Sequence, residues 1–367
     1  MSRLAPIERV ALAAIVALCA LAGAGDYGGW PAVPRFLLAT VALAGLAWVV
    51  SFATEQLGER FGPGITGMLQ STLGNLPELF VVVFALQKGQ LLVAQTAIIG
   101  SVLANALLVL GLVIVVGARR APDGVMRFSK RLPRDTATLL LLAVFIIVLL
   151  ALSLGSHDQA SHHVKAISAV GAVCLLVVYT AWAVPYLRAD AAGRGARAAE
   201  GDAGEGEQGE SRPEPRLPLA LTLALLLTGG AASAFVSDWF VNGLQPAIAQ
   251  LHVSQAFAGL VIVAIAGNAV ENAAGLVLAA KGRSDLAISV VKNSVAQIAA
   301  FLFPLLVLVS MALATTLTFA IAPVYVGALA LTALALWQVT GDGEAMAFEG
   351  WALVALYVIL GALTLYE

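Results

Sequence analysis

Long apolar runs, broken by short clusters of glycine, proline and charge, fill almost the whole chain. Each is long enough for a helix that crosses a bilayer, which needs about 20 residues. The pattern predicts helices at about 7–24, 36–59, 63–87, 91–117, 134–154, 164–187, 217–248, 254–281, 285–311, 315–338 and 348–366, eleven in all. The one long interruption is 188–216, where Glu200, Asp202, Glu205, Glu207, Glu210 and Glu214 stand among Gly and Arg. Such a segment cannot bury a core and reads as a linker. The expected organisation is a first transmembrane helix with its outer loop (1–35), five helices (36–187), an acidic cytoplasmic linker (188–216) and five more helices (217–367).

Inside two of the greasy runs one polar sentence is written twice: Gly74-Asn75-Leu76-Pro77-Glu78 and Gly267-Asn268-Ala269-Val270-Glu271. The copies stay in step, since Lys88-Gly89 and Lys281-Gly282 are also 193 residues apart. A carboxylate in a membrane helix is costly enough to suggest function, and an internal duplication around it suggests a transporter with its site between the halves. Basic residues should gather in the cytoplasm. With the N-terminus there, that side receives Arg3, Arg9, Arg60, Arg119, Arg120, Lys130, Arg188, Lys281 and Arg283 among others, and the opposite side only Arg35, Lys88 and Lys165. An odd number of helices per half then turns the copies upside down relative to each other, and the C-terminus lies on the opposite side. The expectation is an all-α polytopic membrane protein of one helix plus two inverted five-helix repeats.

Composition excludes most other classes. The chain is 60% hydrophobic and 11% charged, with mean hydropathy +0.93, too apolar for a soluble protein. A net charge of −2 offers no basic surface for nucleic acid. Cys19 and Cys174 lie in apolar runs and read as packing residues. The first run resembles a signal peptide in length, but the continuing spans favour a retained helix.

At i and i+3, Asn75 and Glu78 share a helix face, as do Asn268 and Glu271. Each copy therefore offers a neutral oxygen beside a charged one. Hard divalent cations want several oxygens including carboxylates, which suits calcium better than zinc or copper. Pro77 cannot donate a hydrogen bond, so the Leu73 carbonyl is expected to be a further ligand. In the second copy any helix break rests on Gly267. Ser101, Asn105, Ser294 and Gln297, on the helices that follow, read either as pathway residues or as interhelical hydrogen bonds. Glu55 and Glu59 read as an entry funnel or as solvated helix-end carboxylates, and Asp238 as a lining of the other vestibule or a surface group. His157, His162, His163 and His252 fall in outer loops. Lys292 lies about two turns inside its helix and is expected to snorkel to the headgroups, with a countercharge to Glu271 as the alternative.

These residues resemble a known family. Gly74-Asn75-x-x-Glu78-Leu79, Phe84-Ala85-Leu86-x-Lys88-Gly89 and Gly100-Ser101-x-x-x-Asn105-x-Leu107-Leu108-Val109-Leu110-Gly111 are similar to the first signature of the calcium/proton antiporters of the cation/calcium exchanger superfamily. Val261-Ile262-Val263-Ala264-Ile265-x-Gly267-Asn268-Ala269-x-Glu271, with Gln297-Ile298-Ala299 downstream, resembles its second repeat. The resemblance implies that Glu78 and Glu271 are paired cation and proton carboxylates, with Asn75 and Asn268 beside them, and that calcium and protons are the substrates with no cofactor. This chain departs from the family at Leu76-Pro77, where Ala-Thr is usual, at Asn272, where histidine is common, and at Lys292-Asn293-Ser294-Val295, which replaces a Val-Gly-Ser-Ser stretch. Leu76-Pro77 resembles the sodium/calcium exchangers of the same superfamily, which makes sodium exchange the second reading. A divalent cation channel is a third, since duplicated carboxylates also line pores. No Ser/Lys dyad or His-rich motif suggests an enzyme. The excess of Arg over Lys, with abundant Ala and Gly, suggests a bacterial cell membrane.

Overall fold

The computed structural model describes residues 4–58, 73–129, 131–199 and 216–367, without the side chains of 131–134, 185–199 and 270–271. Helices dominate: α1 (Pro6–Tyr27), α2 (Ala32–Gly58), α3 (Leu76–Gln87), α4 (Leu91–Arg120), α5 (Arg131–Ser156), α6 (Val164–Ala199), α7 (Leu219–Leu251), α8 (Gln255–Gly267), α9 (Ala269–Ala280), α10 (Ser284–Ser310), α11 (Pro323–Thr340) and α12 (Ala347–Leu365). Among the described residues nine helices are long and apolar enough to cross a membrane, and α8 with α9, bent by 57° at their junction, makes a tenth. The predicted helix at 63–87 is represented by its second half, α3; Glu59 and the rest of 59–72 lie outside the described residues.

The helix predicted to end at 187 continues as α6 to Ala199, into the segment read as a linker, and two short features also depart from the expectation. The helix predicted from 315 begins at Pro323, because the preceding segment is a buried loop. Its backbone is satisfied by side chains: the Leu317 N–H donates to Ser310 Oγ at 2.8 Å and the Phe319 N–H to Ser168 Oγ at 3.2 Å. The Thr-rich run before it has low helix propensity, and proline is favoured in a first turn. In addition, β1 (Val125–Arg127) pairs antiparallel with β2 (Glu344–Met346). Arg127 bridges Asp123 and Glu344 on this ribbon, and the guanidinium holds the Asp123 carboxyl below its ordinary range.

The duplication is visible in the backbone. α3 and α9 each have 12 residues, start just after Asn75 and Asn268, and end at Lys88 and Lys281. Each is followed by a glycine in the left-handed region, Gly89 at φ 73° and Gly282 at φ 76°. α4 and α10 both widen into a π-helical turn, at Ala104–Val109 and Ile298–Leu302. α2 and α7, which precede the two copies, pack antiparallel: Phe36 lies against Phe240 and Gly243, while Val49 and Val50 lie against Gly229. α1 packs across this pair through Ile15 on Gly45 and Trp239 on Gly23. α4 is the most buried span, and it meets α8 backbone to backbone: a Cβ on Gly100 would stand 2.5 Å from the Leu260 Cα. Small residues at such crossings let van der Waals packing replace the hydrophobic drive that lipid cannot supply.

Candidate cation site

Both polar sentences are helix breaks in the middle of the bundle. Asn75 (φ −85°, ψ 8°) and Asn268 (φ −103°, ψ 12°) leave helical geometry, and a new helix starts at the next residue. Each asparagine carbonyl accepts the first bond of that new helix, from the Leu79 N–H at 2.9 Å and the Asn272 N–H at 3.0 Å. Pro77 is the second residue of α3, where its missing N–H would have no helical partner in any case. The proline therefore suits the first break, and the second copy makes its break at Gly267-Asn268 with no proline, as the sequence led one to expect. Broken helices present their positive N-terminal ends to anions and their free carbonyls to cations. Glu78 and Glu271 both occupy the third position of their new helices; the Glu271 side chain lies outside the described part.

Glu78 is 2% exposed and Asn75 5%. A Cβ built on Gly267 would stand 3.9 Å from that of Glu78, so the first glutamate side chain is rooted beside the second break. Asn268, 1% exposed, is held from three sides. Its Nδ2 donates to Ser101 Oγ at 2.9 Å and to the Ala264 carbonyl at 2.9 Å, and its Oδ1 accepts from Asn105 Nδ2 at 3.1 Å. Asn105 also donates to the Ser101 carbonyl at 2.9 Å. Its own Oδ1, like Asn272 Oδ1 and Gln297 Oε1, is buried and accepts no hydrogen bond from a described residue. Buried oxygens lacking donors in an apolar bundle suit a cation or an ordered water. Ser294 and Gln297 are buried too, at 2% and 3% exposure. Among the described residues no three His, Cys, Asp or Glu side chains converge, the four histidines included.

The remaining sequence candidates separate. Glu55 stands exposed on a cleft of about 600 Å³ between α2 and α9, lined also by Trp48, Ser51, Phe52, Ala269 and Val290. Ala269, the residue after Asn268, is on the wall of this cleft. Asp238 is ion-paired with Lys88, Nζ to Oδ1 at 2.5 Å. Lys292 does not snorkel: it is fully buried, and its Nζ donates to Thr340 Oγ1 at 2.8 Å. Thr136 on α5 donates to the Lys292 carbonyl at 3.4 Å, so α5 and α11 close over the lysine. That contact aims the ammonium at α11.

Comparison with known proteins bears directly on this arrangement. The family model described as "Sodium/calcium exchanger protein" matches residues 32–184 and 221–366, one segment on either side of the linker. The "Vacuolar calcium ion transporter" of Schizosaccharomyces pombe is 31% identical over 336 residues, 90% of this chain and 79% of its own length. The "Ca(2+)/H(+) antiporter ChaA" of Bacillus subtilis is 28% identical over 96% of this chain and 98% of its own. Among solved structures, native YfkE superposes with a TM-score of 0.78 at 26% identity, covering 97% of this chain and 100% of that one. The sodium-calcium exchanger NCX_Mj shares the fold at a TM-score of 0.55 and 19% identity, over 90% of this chain and 98% of its own. The chain belongs to the sodium/calcium exchanger protein family and, within it, to the calcium/proton antiporters.

Proposed function

We propose that the protein exchanges calcium for protons across a membrane by alternating access, with Glu78 and Glu271 as carboxylates that both ions share. The observation that carries this reading is the burial of Glu78 against the break at Gly267–Asn268, in a chain similar along almost its whole length to calcium/proton antiporters. A calcium ion that sheds its water needs several oxygens and compensating charge. Asn75, Asn268, Asn105 and the carbonyls ahead of each break, Leu73 among them, supply neutral oxygens around the two carboxylates. Ser101 holds Asn268 in place, and Ser294 occupies the matching position in the other half.

Calcium and protons compete for the same oxygens, so acid on one side lowers calcium affinity there and releases the ion. The empty, fully ionised site is disfavoured by repulsion between two poorly solvated carboxylates. The carrier therefore reorients either calcium-loaded or protonated, which couples the two fluxes. Glu55, at the mouth of the cleft, draws cations toward the site. The excess of basic residues at that end supports a cytoplasmic assignment, with the N-terminus on the same side, in a bacterial cell membrane. The five-helix repeats at 36–187 and 217–367 are the two halves that exchange roles.

Sodium exchange is the second reading, favoured by Leu76-Pro77. The higher similarity to YfkE than to NCX_Mj weighs against it. In sodium-free proteoliposomes an acid-inside gradient should drive calcium inward, and an ionophore that collapses the gradient should stop accumulation. Uptake that ignored the proton gradient and followed an imposed sodium gradient would overturn the proton reading. Dissipation without accumulation would mark a channel.

A further inference from the structure

The two helix pairs related by the duplication are packed differently. Between α2 and α9 the helices part around the cleft at Glu55. The equivalent pair in the other half is α7 and α3, and there the helices are closed. Leu76 packs toward Gly230, and Ser237 Oγ donates to the Pro77 carbonyl at 3.4 Å. At the far end of α3, Lys88 Nζ donates to Asp238 Oδ1 at 2.5 Å, to Asn242 Oδ1 at 2.6 Å and to the Asp238 carbonyl at 3.2 Å. Asn242 Nδ2 donates in turn to Asp238 Oδ2 at 3.3 Å. All three ammonium hydrogens are used, all on α7.

We propose that Lys88, Asp238 and Asn242 form a latch that keeps the pathway shut at the end opposite Glu55, and that its release belongs to the reorientation step. The duplication supplies an internal control. Lys281 is the copy of Lys88, but the positions 193 residues before Asp238 and Asn242 are Gly45 and Val49, which carry no side-chain acceptor. Lys281 is exposed, its side chain has no partner among the described residues, and its end of the bundle is the one that has parted. The latch is partly solvated, with side-chain exposures of 29% for Lys88 and 40% for Asp238. Bonds of that kind are individually weak. Between two states of similar free energy, however, a modest bias decides which one is populated.

The inference rests on the alternating-access reading, so its test uses accessibility in place of transport. In a chain with Cys19 and Cys174 replaced by Ala, single reporters Ser237→Cys, at the latched interface, and Ser51→Cys, in the open cleft, are labelled with a water-soluble maleimide in detergent. Lys88→Ala or Asp238→Ala should speed labelling of Ser237→Cys and slow that of Ser51→Cys, each by about threefold to tenfold. The charge swap Lys88→Asp with Asp238→Lys should return both rates to within about twofold of the parent. Opposite changes at the two reporters are not what a loosened fold produces, since that exposes both. Unchanged rates, or a rise at both reporters, would overturn the latch. A failure of calcium/proton coupling in the flux assay would leave these rates unaffected, so the two ideas fail separately.

Discussion

Glu78 is held in the first turn of a helix that begins inside the bundle, where the dipole favours its charge and lipid cannot reach it. Replacing it by Gln keeps the shape and the polarity and removes the charge. Glu78→Gln and Glu271→Gln should each abolish exchange while the protein still inserts and purifies as a single species. Near-normal calcium flux in either variant would make that carboxylate structural. Lys292 is the contrary case, a buried lysine whose ammonium is directed at Thr340 on α11. Its one hydrogen bond among the described residues, to Thr340, is small repayment for desolvating an ammonium. Lys292→Met, similar in volume and flexible, should leave the pH dependence of transport unchanged and the apparent thermal midpoint equal or higher. Thr340→Val strands the ammonium and should cost about 1–3 kcal/mol, read as a lower midpoint. The sequence carried the carboxylates plainly because ions are rare in apolar runs. It misled at Lys292, since depth counted along one helix ignores α5 and α11 closing over that helix from far away in the chain.

At the level of elements, the break is the feature that matters, and asparagine marks it in both copies. One copy has a proline and the other does not, yet Asn75 and Asn268 take nearly the same backbone angles. Pro77→Ala should therefore leave the break intact, with the calcium KM of exchange changing by no more than about twofold. Asn105→Ala removes the donor that fixes Asn268 Oδ1 and should raise that KM by about twofold to tenfold, the worth of one hydrogen bond. A large loss from the proline change with none from the asparagine change would reverse this assignment. Most helices were legible because apolar length and glycine, proline or charge boundaries are local signals. The β1–β2 ribbon was not, since a three-residue strand has no periodicity and its partner lies more than two hundred residues away. Nor was the buried loop before α11, whose backbone is satisfied by Ser168 and Ser310, side chains that look like ordinary span residues.

At the scale of the whole molecule, the matched ends of α3 and α9 fit one folding unit repeated with its direction reversed. α2 and α7 pack antiparallel along their length, as a pair related by a two-fold axis in the membrane plane should. In that arrangement the ends of α3 and α9, which match residue for residue, must emerge on opposite faces of the bilayer. Gln87 and Ala280 are exposed, 193 residues apart and next to the two lysines, so cysteines there report the faces while leaving the Lys88 contacts intact. In cells or sealed right-side-out vesicles of the Cys19→Ala, Cys174→Ala protein, an impermeant maleimide should label Gln87→Cys from outside. Ala280→Cys should react only after permeabilisation. Labelling of both from one side would remove the antiparallel arrangement, because no rotation within the membrane places parallel copies of one unit on opposite faces. Alternating access would then lose its structural basis, since two half-pathways opening to the same side cannot take turns.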